Sequence, residues 1–178
     1  MNKIIKLTVV LFLICAVVAA VLGGVNEVTK GPIETQQREK TETAYKAVLP
    51  QADSFTELDR SSFAAFKTVD KISAAANGAG HVVETTFSGA QGSITMAVGV
   101  DDAYKCAGIS IIKHSETSGL GEVAASSSAR GESFRSSFIG KDENITITDI
   151  DAITGATITS KAVTGAVATA IEAVKALG

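Results

Sequence analysis

The N-terminal apolar segment places the strongest constraint on how this chain can fold. After the sequence MNKIIK, residues 7–25 (LTVVLFLICAVVAAVLGGV) contain no charged side chain. About 20 apolar residues are enough for a helix to cross the hydrocarbon core of a bilayer. A cleaved signal peptide is the competing interpretation, although its apolar region is ordinarily shorter and no good cleavage site follows. We therefore expect residues 1–25 to form a cytoplasmic N-terminus and a retained transmembrane helix.

Positive charges on both sides of this segment bear on its orientation. Lys3 and Lys6 precede the apolar residues, which favours a cytoplasmic N-terminus. Lys30, Arg38 and Lys40 follow within reach and weaken that preference. The prediction is a single-pass protein of the cell membrane, in contact with lipid, whose remaining chain is extracytoplasmic.

The composition of the 178 residues excludes several function classes. The net charge is −3, so no basic surface is predicted and nucleic acid is not an expected partner. Cys15 lies inside the apolar segment, and a disulfide with Cys106 is therefore not expected. The sequence contains no C-x-x-C motif and no His/Cys cluster. A zinc or iron–sulfur site formed by this chain alone is not predicted.

Residues 26–50 predict a connecting segment followed by a helix. The sequence NEVTKGPIET is polar and contains Gly31 and Pro32, which together signal a turn. The sequence QQREKTETAYKAVLP then predicts a helix that Pro50 ends, because proline cannot extend the hydrogen-bond ladder. The apolar residues of this helix fall on one side: Ala44, Val48 and Leu49.

Residues 51–178 predict one domain that begins with a weak helix or loop and continues with an antiparallel sheet. Phe63 and Phe66 lie within reach of each other in the first part. From Gly80 onward apolar residues alternate with period two in HVVETTF, GSITMAVGV and CAGISIIKH, and DDAYK supplies a turn. This alternation predicts a meander of strands. The sequence ENITITDI predicts one further strand.

The last segment predicts a helix from about Ser160. Its apolar residues recur at spacings of three and four and form one stripe, which consists of Val163, Val167, Ala170, Val174 and Leu177. Strands and helices occupy separate blocks of the sequence rather than alternating. The predicted fold class is therefore α+β, with a transmembrane helix, an antiparallel sheet and flanking helices.

Small and hydroxylated residues crowd the start of the last predicted helix, in the sequence DAITGATITSK. Gly155 and Ala156 allow a phosphate group to approach the backbone closely. A helix start also offers free N–H groups and a positive partial charge, so the segment predicts an anion site. The hydroxyl donors available to it are Thr154, Thr157, Thr159 and Ser160. The alternative is that Thr157 or Thr159 only caps the helix, and spacing alone leaves both open.

The sequence DAITGAT (151–157) resembles the Asp-x-x-(Ser/Thr)-Gly-Ala-Thr motif that a flavin transferase modifies in FMN-binding domains. Every defined position of the motif is matched. The resemblance implies that the Thr157 hydroxyl becomes a phosphoester of FMN, so that the flavin is held covalently through its phosphate. The resemblance also favours recognition of Asp151 by the transferase, and the alternative is that this residue only favours the start of the helix.

A second segment, KHSETSGLGE (113–122), resembles the His-x-Glu-Thr-Pro-Gly-Leu-Gly sequence that lies against the flavin in the same family. Ser118 stands where proline is usual, and this difference bears on the stiffness of the loop. The resemblance implies cofactor contacts from four residues of the segment: Glu116, Thr117, Leu120 and Gly121. Without the family, the segment predicts only a glycine-containing turn after a strand.

Taken with the single span and the sequences TAYKAVLP and GATITSKAV, the chain resembles G subunits of the Rnf electron-transport complex, which are related to the C subunit of the sodium-pumping NADH:quinone reductase. The resemblance implies an electron-transfer subunit of a ferredoxin:NAD oxidoreductase complex coupled to ion translocation. The implied partners are the integral-membrane and iron–sulfur subunits and a flavin transferase. Thr157 would be a modification site, and no catalytic residue is predicted in this chain alone.

Two alternatives stay open. A membrane-tethered covalent flavoprotein could serve a different extracytoplasmic reductase, and a non-redox module could use the anion site without covalent flavin. His114 is expected either to tune the flavin or to be a polar strand-end residue. His81 predicts a surface strand position, Cys106 a small buried hydrophobic residue, and Asp101 with Asp102 a turn.

Overall fold

A computed structural model describes residues 2–119 and 121–177 of the chain. The described chain forms two compact units, one ending at Lys40 and the other beginning at Thr41. Helix α1 (Asn2–Val48) forms the first unit and contributes its last residues to the second.

The described residues of the first unit are helical and expose their apolar side chains. Phe12, for example, is 74% exposed. The most apolar window of α1 has a mean hydropathy of 2.9, and no part of that window is buried. By length and composition, α1 is the one helix among the described residues that could cross a membrane. The predicted apolar helix is confirmed, and a helix surrounded by lipid would bury this exposed surface.

The turn predicted within residues 26–35 is wrong, because α1 continues through Gly31 and Pro32. Proline interrupts the ladder by lacking an N–H group, but strong helix formers follow it in the sequence ETQQREKTETAYKAV. The hydroxyls of Thr29 and Thr35, on either side of the proline, each bond a carbonyl one turn back at 2.9 and 3.1 Å. A polar sequence and a Gly-Pro pair therefore did not suffice to end the helix.

A five-stranded antiparallel sheet, with strands in the order β1-β2-β3-β4-β5, forms the centre of the second unit. The strands are β1 (Phe55–Glu57), β2 (Val69–Ala75), β3 (His81–Ser88), β4 (Ser93–Val100) and β5 (Cys106–His114). The three strands predicted from alternation are confirmed as β3, β4 and β5. The turn predicted at DDAYK is also confirmed, since the Asp101 side chain accepts hydrogen bonds from the N–H groups of Ala103 and Lys105.

Helix α3 (Thr157–Lys175) covers one face of the sheet. Its predicted stripe is confirmed, since Val163, Val167, Ala170 and Val174 are buried and Leu177 packs against the same core. Burial of a whole aliphatic side chain contributes about 1.5–3 kcal/mol, so this stripe anchors the helix. Its partners on the sheet include Val83, Met96 and Val98.

The last turns of α1 pack on the opposite face of the sheet. The predicted side is confirmed, because Ala44, Val48 and Leu49 are buried together with sheet residues. Helix α1 ends at Val48, two residues before Pro50, as expected.

Two elements differ from the prediction in the region between β5 and α3. Helix α2 (Ala129–Ser136) was not predicted, and it buries Phe134 next to Phe138 with 5.1 Å between ring centroids. The strand predicted at ENITITDI is wrong, because this sequence forms a 3₁₀ turn (Ile147–Asp149). The Asp149 carboxylate accepts a hydrogen bond from the Thr146 N–H at 2.9 Å, which closes the turn locally.

Candidate functional site

The start of α3 is formed by a tight turn that requires glycine. Gly155 has a φ of +84°, a left-handed conformation that side chains other than glycine rarely adopt. The Ala156 N–H donates to the Ile153 carbonyl at 3.0 Å and closes the turn just before Thr157. The helix thus begins at Thr157, three residues earlier than the sequence predicted.

The interpretation of Thr157 or Thr159 as a helix cap is wrong. The N-cap residue is Ala156, and among the residues that the structure describes no side chain makes a capping hydrogen bond there. Thr159 donates its hydroxyl to Glu116 instead. The first N–H groups of a helix have no partner inside the helix, so an uncapped start leaves donors for an external anion.

Ser160 has a structural role. Its hydroxyl is fully buried, accepts a hydrogen bond from the Ile153 N–H at 3.1 Å, and donates to the Ala156 carbonyl at 3.0 Å. Both bonds hold the turn that precedes the helix. The contact of Ser160 with a cofactor stays a prediction.

Thr157 and Thr159 point away from each other. Two residues along an α-helix correspond to a rotation of about 200° around its axis, because one turn contains 3.6 residues. Accordingly Thr157 is exposed, whereas Thr159 is fully buried. Thr154 and Gly155 are exposed like Thr157, so the predicted attachment hydroxyl lies at an accessible helix start.

The carboxylate of Glu116 joins the two segments that the sequence singled out. Its Oε2 accepts a hydrogen bond from the Thr159 hydroxyl at 2.5 Å, and its Oε1 accepts one from the Gln91 N–H at 3.1 Å. Partial burial by itself raises the pKa of Glu116, but hydrogen bonds from Thr159 and from the N–H groups of residues 90–92 outweigh it and leave the pKa below its usual value. The carboxylate is therefore ionised at neutral pH.

Two glycines enclose the Glu116 side chain. A Cβ added to Gly121 would lie 2.8 Å from the Cβ of Glu116 and would overlap its carboxylate. A Cβ added to Gly89 would lie 2.7 Å from the Cδ1 of Ile94 and would also overlap the carboxylate. With glycine at both positions, the Glu116 side chain keeps the place that a Cβ at either position would take from it.

The other predicted residues of the 113–122 segment differ in their exposure. Thr117 is exposed, and its carbonyl accepts the Glu122 N–H at 3.3 Å. Gly121 is buried, and Leu120 lies outside the described residues. The His114 Nδ1 accepts a hydrogen bond from the Glu116 N–H at 3.4 Å, so this ring nitrogen faces the loop backbone.

Asp151, the first residue of the threonine motif, contacts the helix that was not predicted. The Ser133 hydroxyl of α2 donates to the Asp151 carboxylate at 2.8 Å. No motif in the sequence marks Ser133. The spacing of Asp151 from Ser133, 18 residues along the chain, gave no indication of this contact.

Of two residues outside the site, Cys106 behaves as predicted and His81 does so only in part. Cys106 is 1% exposed, and burial raises the pKa of its thiol to about 12, so it acts as a small hydrophobic residue. His81 lies in a strand as predicted, at the start of β3, but it is half-buried rather than at the surface, and this partial burial lowers its pKa.

The residues present at the α3 start fit a phosphate group attached at Thr157. The hydroxyl is exposed, the neighbouring residues are small, and the uncapped helix offers N–H groups and a positive partial charge. The arrangement favours an anionic ligand.

Comparison with known families assigns both parts of the chain. Residues 89–172 match the FMN-binding domain family, and this range contains both segments of the site. Residues 1–48 match the RnfG N-terminal region. The protein is thus similar to known families in its N-terminal helix as well as in its domain.

Three relatives match nearly the whole chain. The G subunit of the ion-translocating oxidoreductase complex of Methanosarcina acetivorans is 32% identical over 98% of this chain and 96% of its own length. The G subunit of the Na(+)-translocating ferredoxin:NAD(+) oxidoreductase complex of Acetobacterium woodii is 33% identical over 94% and 89%, respectively. The proton-translocating counterpart of Clostridium ljungdahlii is 31% identical over 97% and 92%.

Proposed function

The chain belongs to the family of Rnf complex G subunits, and from this premise we propose that it carries FMN as a phosphoester of Thr157 and transfers electrons within a membrane-bound ferredoxin:NAD oxidoreductase complex. The complex couples this reaction to ion translocation. The names of two relatives specify different ions, sodium and protons, so the proposal specifies translocation without naming the ion.

The observation that carries the proposal is the exposed Thr157 hydroxyl at an uncapped helix start, inside the range matched to FMN-binding domains. A phosphoester there receives hydrogen bonds from backbone N–H groups and favourable interaction with the helix dipole. The Gly155 turn leaves this hydroxyl accessible to a flavin transferase.

Bound FMN supplies the redox chemistry, and the protein supplies attachment and position. The chain's own residues hold the phosphate at the start of α3 and join Glu116 to that helix through Thr159. Neither task needs a catalytic acid or base. The subunit therefore acts as a redox relay, not as an enzyme by itself.

The domain lies on the extracytoplasmic side of the membrane in this proposal, which rests on the charges of Lys3 and Lys6. An Asp102→Cys variant tests this orientation, because Asp102 is exposed in a turn, whereas the native Cys106 of the domain is buried and shielded from reagents. A membrane-impermeant maleimide should label the variant in intact cells and leave wild type unlabelled there. Labelling of the variant only after cell lysis would place the domain in the cytoplasm.

The attachment is tested by ultraviolet fluorescence of the denatured full-length protein after expression with a flavin transferase. Wild type should give a fluorescent band and a mass increase of one FMN, whereas Thr157→Ala should give neither. Thr148→Ala is the matched control, because Thr148 is an exposed threonine outside α3. A dark wild-type band contradicts covalent flavin, and a fluorescent Thr157→Ala band contradicts the choice of residue.

Purification in mild detergent separates this function from the alternatives. Integral-membrane and iron–sulfur subunits should copurify with the fluorescent protein if it belongs to an Rnf-type complex. Copurification of a different extracytoplasmic reductase would support a separate tethered flavoprotein. A dark protein that still binds phosphate at the α3 start would support the non-redox module.

A further inference from the structure

We propose that Glu116 is a positioning residue whose carboxylate joins the beginning of the loop after β5 to the start of α3 and so fixes where the Thr157 hydroxyl is presented. This role differs from the direct cofactor contact that the resemblance implies for Glu116. The inference deepens the proposed function, and the part of its test that measures FMN attachment rests on that function.

The carboxylate bridges three segments that are distant in sequence. It belongs to the loop after β5, accepts the Gln91 N–H from the turn between β3 and β4, and accepts the Thr159 hydroxyl from α3. These partners lie 25 and 43 residues away along the chain. Hydrogen bonds to an ionised acceptor are about twice as strong as neutral ones, so this junction is well suited to hold the segments together.

The direction of the contact separates Glu116 from the attachment hydroxyl. Thr159 is buried and meets the carboxylate, whereas Thr157 is exposed on the other side of the helix start. A carboxylate beside a phosphate would be repelled by the like charge. Binding through Thr159 lets Glu116 fix the helix start while it stays away from the side where the phosphate is attached.

The two glycines beside the Glu116 side chain give an independent reason to assign a positioning role to Glu116. Gly89 belongs to the turn between β3 and β4, and Gly121 begins a short 3₁₀ helix, Gly121–Ala124, after the loop that carries Glu116. At either position a Cβ would displace Glu116. The backbone therefore passes close to the Glu116 side chain on both sides, with glycine at each point of approach.

One pair of variants removes the hydrogen-bonded junction between Glu116 and Thr159, and a second pair preserves it. Glu116→Ala and Thr159→Val remove it from opposite sides. Glu116→Gln preserves it, because the amide oxygen can accept the turn N–H while the amide nitrogen donates to the Thr159 hydroxyl. Thr159→Ser also preserves it by keeping the hydroxyl.

Thr164→Val is the matched control for Thr159→Val. Thr164 is also a buried threonine of α3, but its hydroxyl donates to the Ser160 carbonyl within the helix at 2.8 Å. The control makes the same chemical change in the same helix without touching Glu116. A loss shared by both valine variants would indicate general damage to α3, which overturns the proposal.

The first measurement is the initial rate of FMN attachment to the full-length protein in the presence of flavin transferase. Glu116→Ala and Thr159→Val should each lower the rate about tenfold, which corresponds to about 1.4 kcal/mol, the scale expected for a lost charge-assisted hydrogen bond. Glu116→Gln and Thr159→Ser should stay within about threefold of wild type. Wild-type rates in both removing variants, or failure of both preserving variants, would overturn the role.

The second measurement is amide hydrogen exchange of the unmodified full-length protein. Glu116→Ala should speed exchange in the turn at residues 89–92 and in the first turn of α3, and Thr164→Val should leave the turn unchanged. Unchanged exchange in Glu116→Ala overturns the proposal whether or not flavin is attached. If wild type accepts no FMN, the proposed function fails, and hydrogen exchange still decides the positioning role.

Discussion

Helices α1 and α3 both carry many apolar side chains, but they expose them differently. In the first unit consecutive residues of α1 are exposed, such as Phe12 at 74% and Leu13 at 60%, although they point in different directions around the helix. In α3, Ile158 is 65% exposed and Ile171 is fully buried. A helix that is apolar all round suits lipid, whereas one apolar stripe suits a helix on a sheet. The distribution of apolar residues therefore indicates the surroundings of each helix.

The largest effect should come from the buried stripe of α3. Ile171→Ala should lower the free energy of unfolding by about 2–5 kcal/mol, because it removes a buried side chain and leaves a cavity. Ile158→Ala is the matched control in the same helix and should change it by less than about 0.5 kcal/mol. Urea unfolding measures both. Equal effects at the two isoleucines would contradict the one-sided burial of α3.

A charge in α1 should affect membrane insertion and leave the domain folded. Leu13→Arg places a charge in the middle of the apolar segment, where insertion becomes less favourable by about 2.5–3.5 kcal/mol. The protein should move from the membrane fraction to the soluble or degraded fraction, while Leu13→Phe stays in the membrane. Full membrane retention of the arginine variant would argue against a spanning role for α1.

A methyl group added at Gly99, which packs against α1, and at Gly165, on the exposed side of α3, should change the stability in opposite directions. A Cβ at Gly99 of the sheet overlaps the Val48 carbonyl oxygen at the end of α1, so Gly99→Ala should destabilise the protein by about 1–3 kcal/mol. Gly165 lies on the exposed side of α3 with no atom within 4 Å of an added Cβ. Gly165→Ala should stabilise it by up to about 1 kcal/mol through helix propensity. Thermal unfolding measures both changes in stability. A change in the same direction for both variants would contradict the close contact of Gly99 with α1 or the open space beside Gly165.

The smallest effect should come from the charge of Glu116 at the α3 start. Its pKa is lowered in the folded protein by hydrogen bonds from Thr159 and residues 90–92 that outweigh partial burial. The ionised carboxylate therefore contributes stability above its unfolded pKa of about 4.3, and this contribution is lost as the pH falls through the folded pKa. The stability difference between wild type and Glu116→Gln should shrink from about pH 6 to about pH 3. A difference that does not change with pH would contradict an ionised, hydrogen-bonded Glu116.

Local periodicity predicted the elements whose residues alternate clearly. Strands β3, β4 and β5 show period two, and α3 shows one apolar stripe, so each was found from the sequence. Strand β2 was missed because its sequence, VDKISAA, is rich in small and polar residues and is defined by pairing with β3. The sequence ENITITDI alternates like a strand, but its Thr146–Asp149 contact forms a turn. Its periodicity was therefore misleading.

The candidate site was only partly predictable for the same reason. The motif and the small residues identified Thr157 and its turn, since they are contiguous in the sequence. The hydroxyl of Thr159 was expected at a helix cap or an anion, and it bonds Glu116 instead. No local pattern links two residues 43 positions apart, and their contact exists only because the sheet and α3 bring the loop and the helix start together.

The sequence by itself determined which segments are apolar throughout, which alternate, and where a small-residue turn precedes a helix. These properties depend on neighbouring residues and on the geometry of single elements. The tertiary structure decided that the α3 start is uncapped, that Thr157 faces outward, and that Thr159 and two glycines hold the Glu116 carboxylate. These properties depend on contacts between distant segments, which form only when burial of the α3 stripe on the sheet fixes where each segment lies.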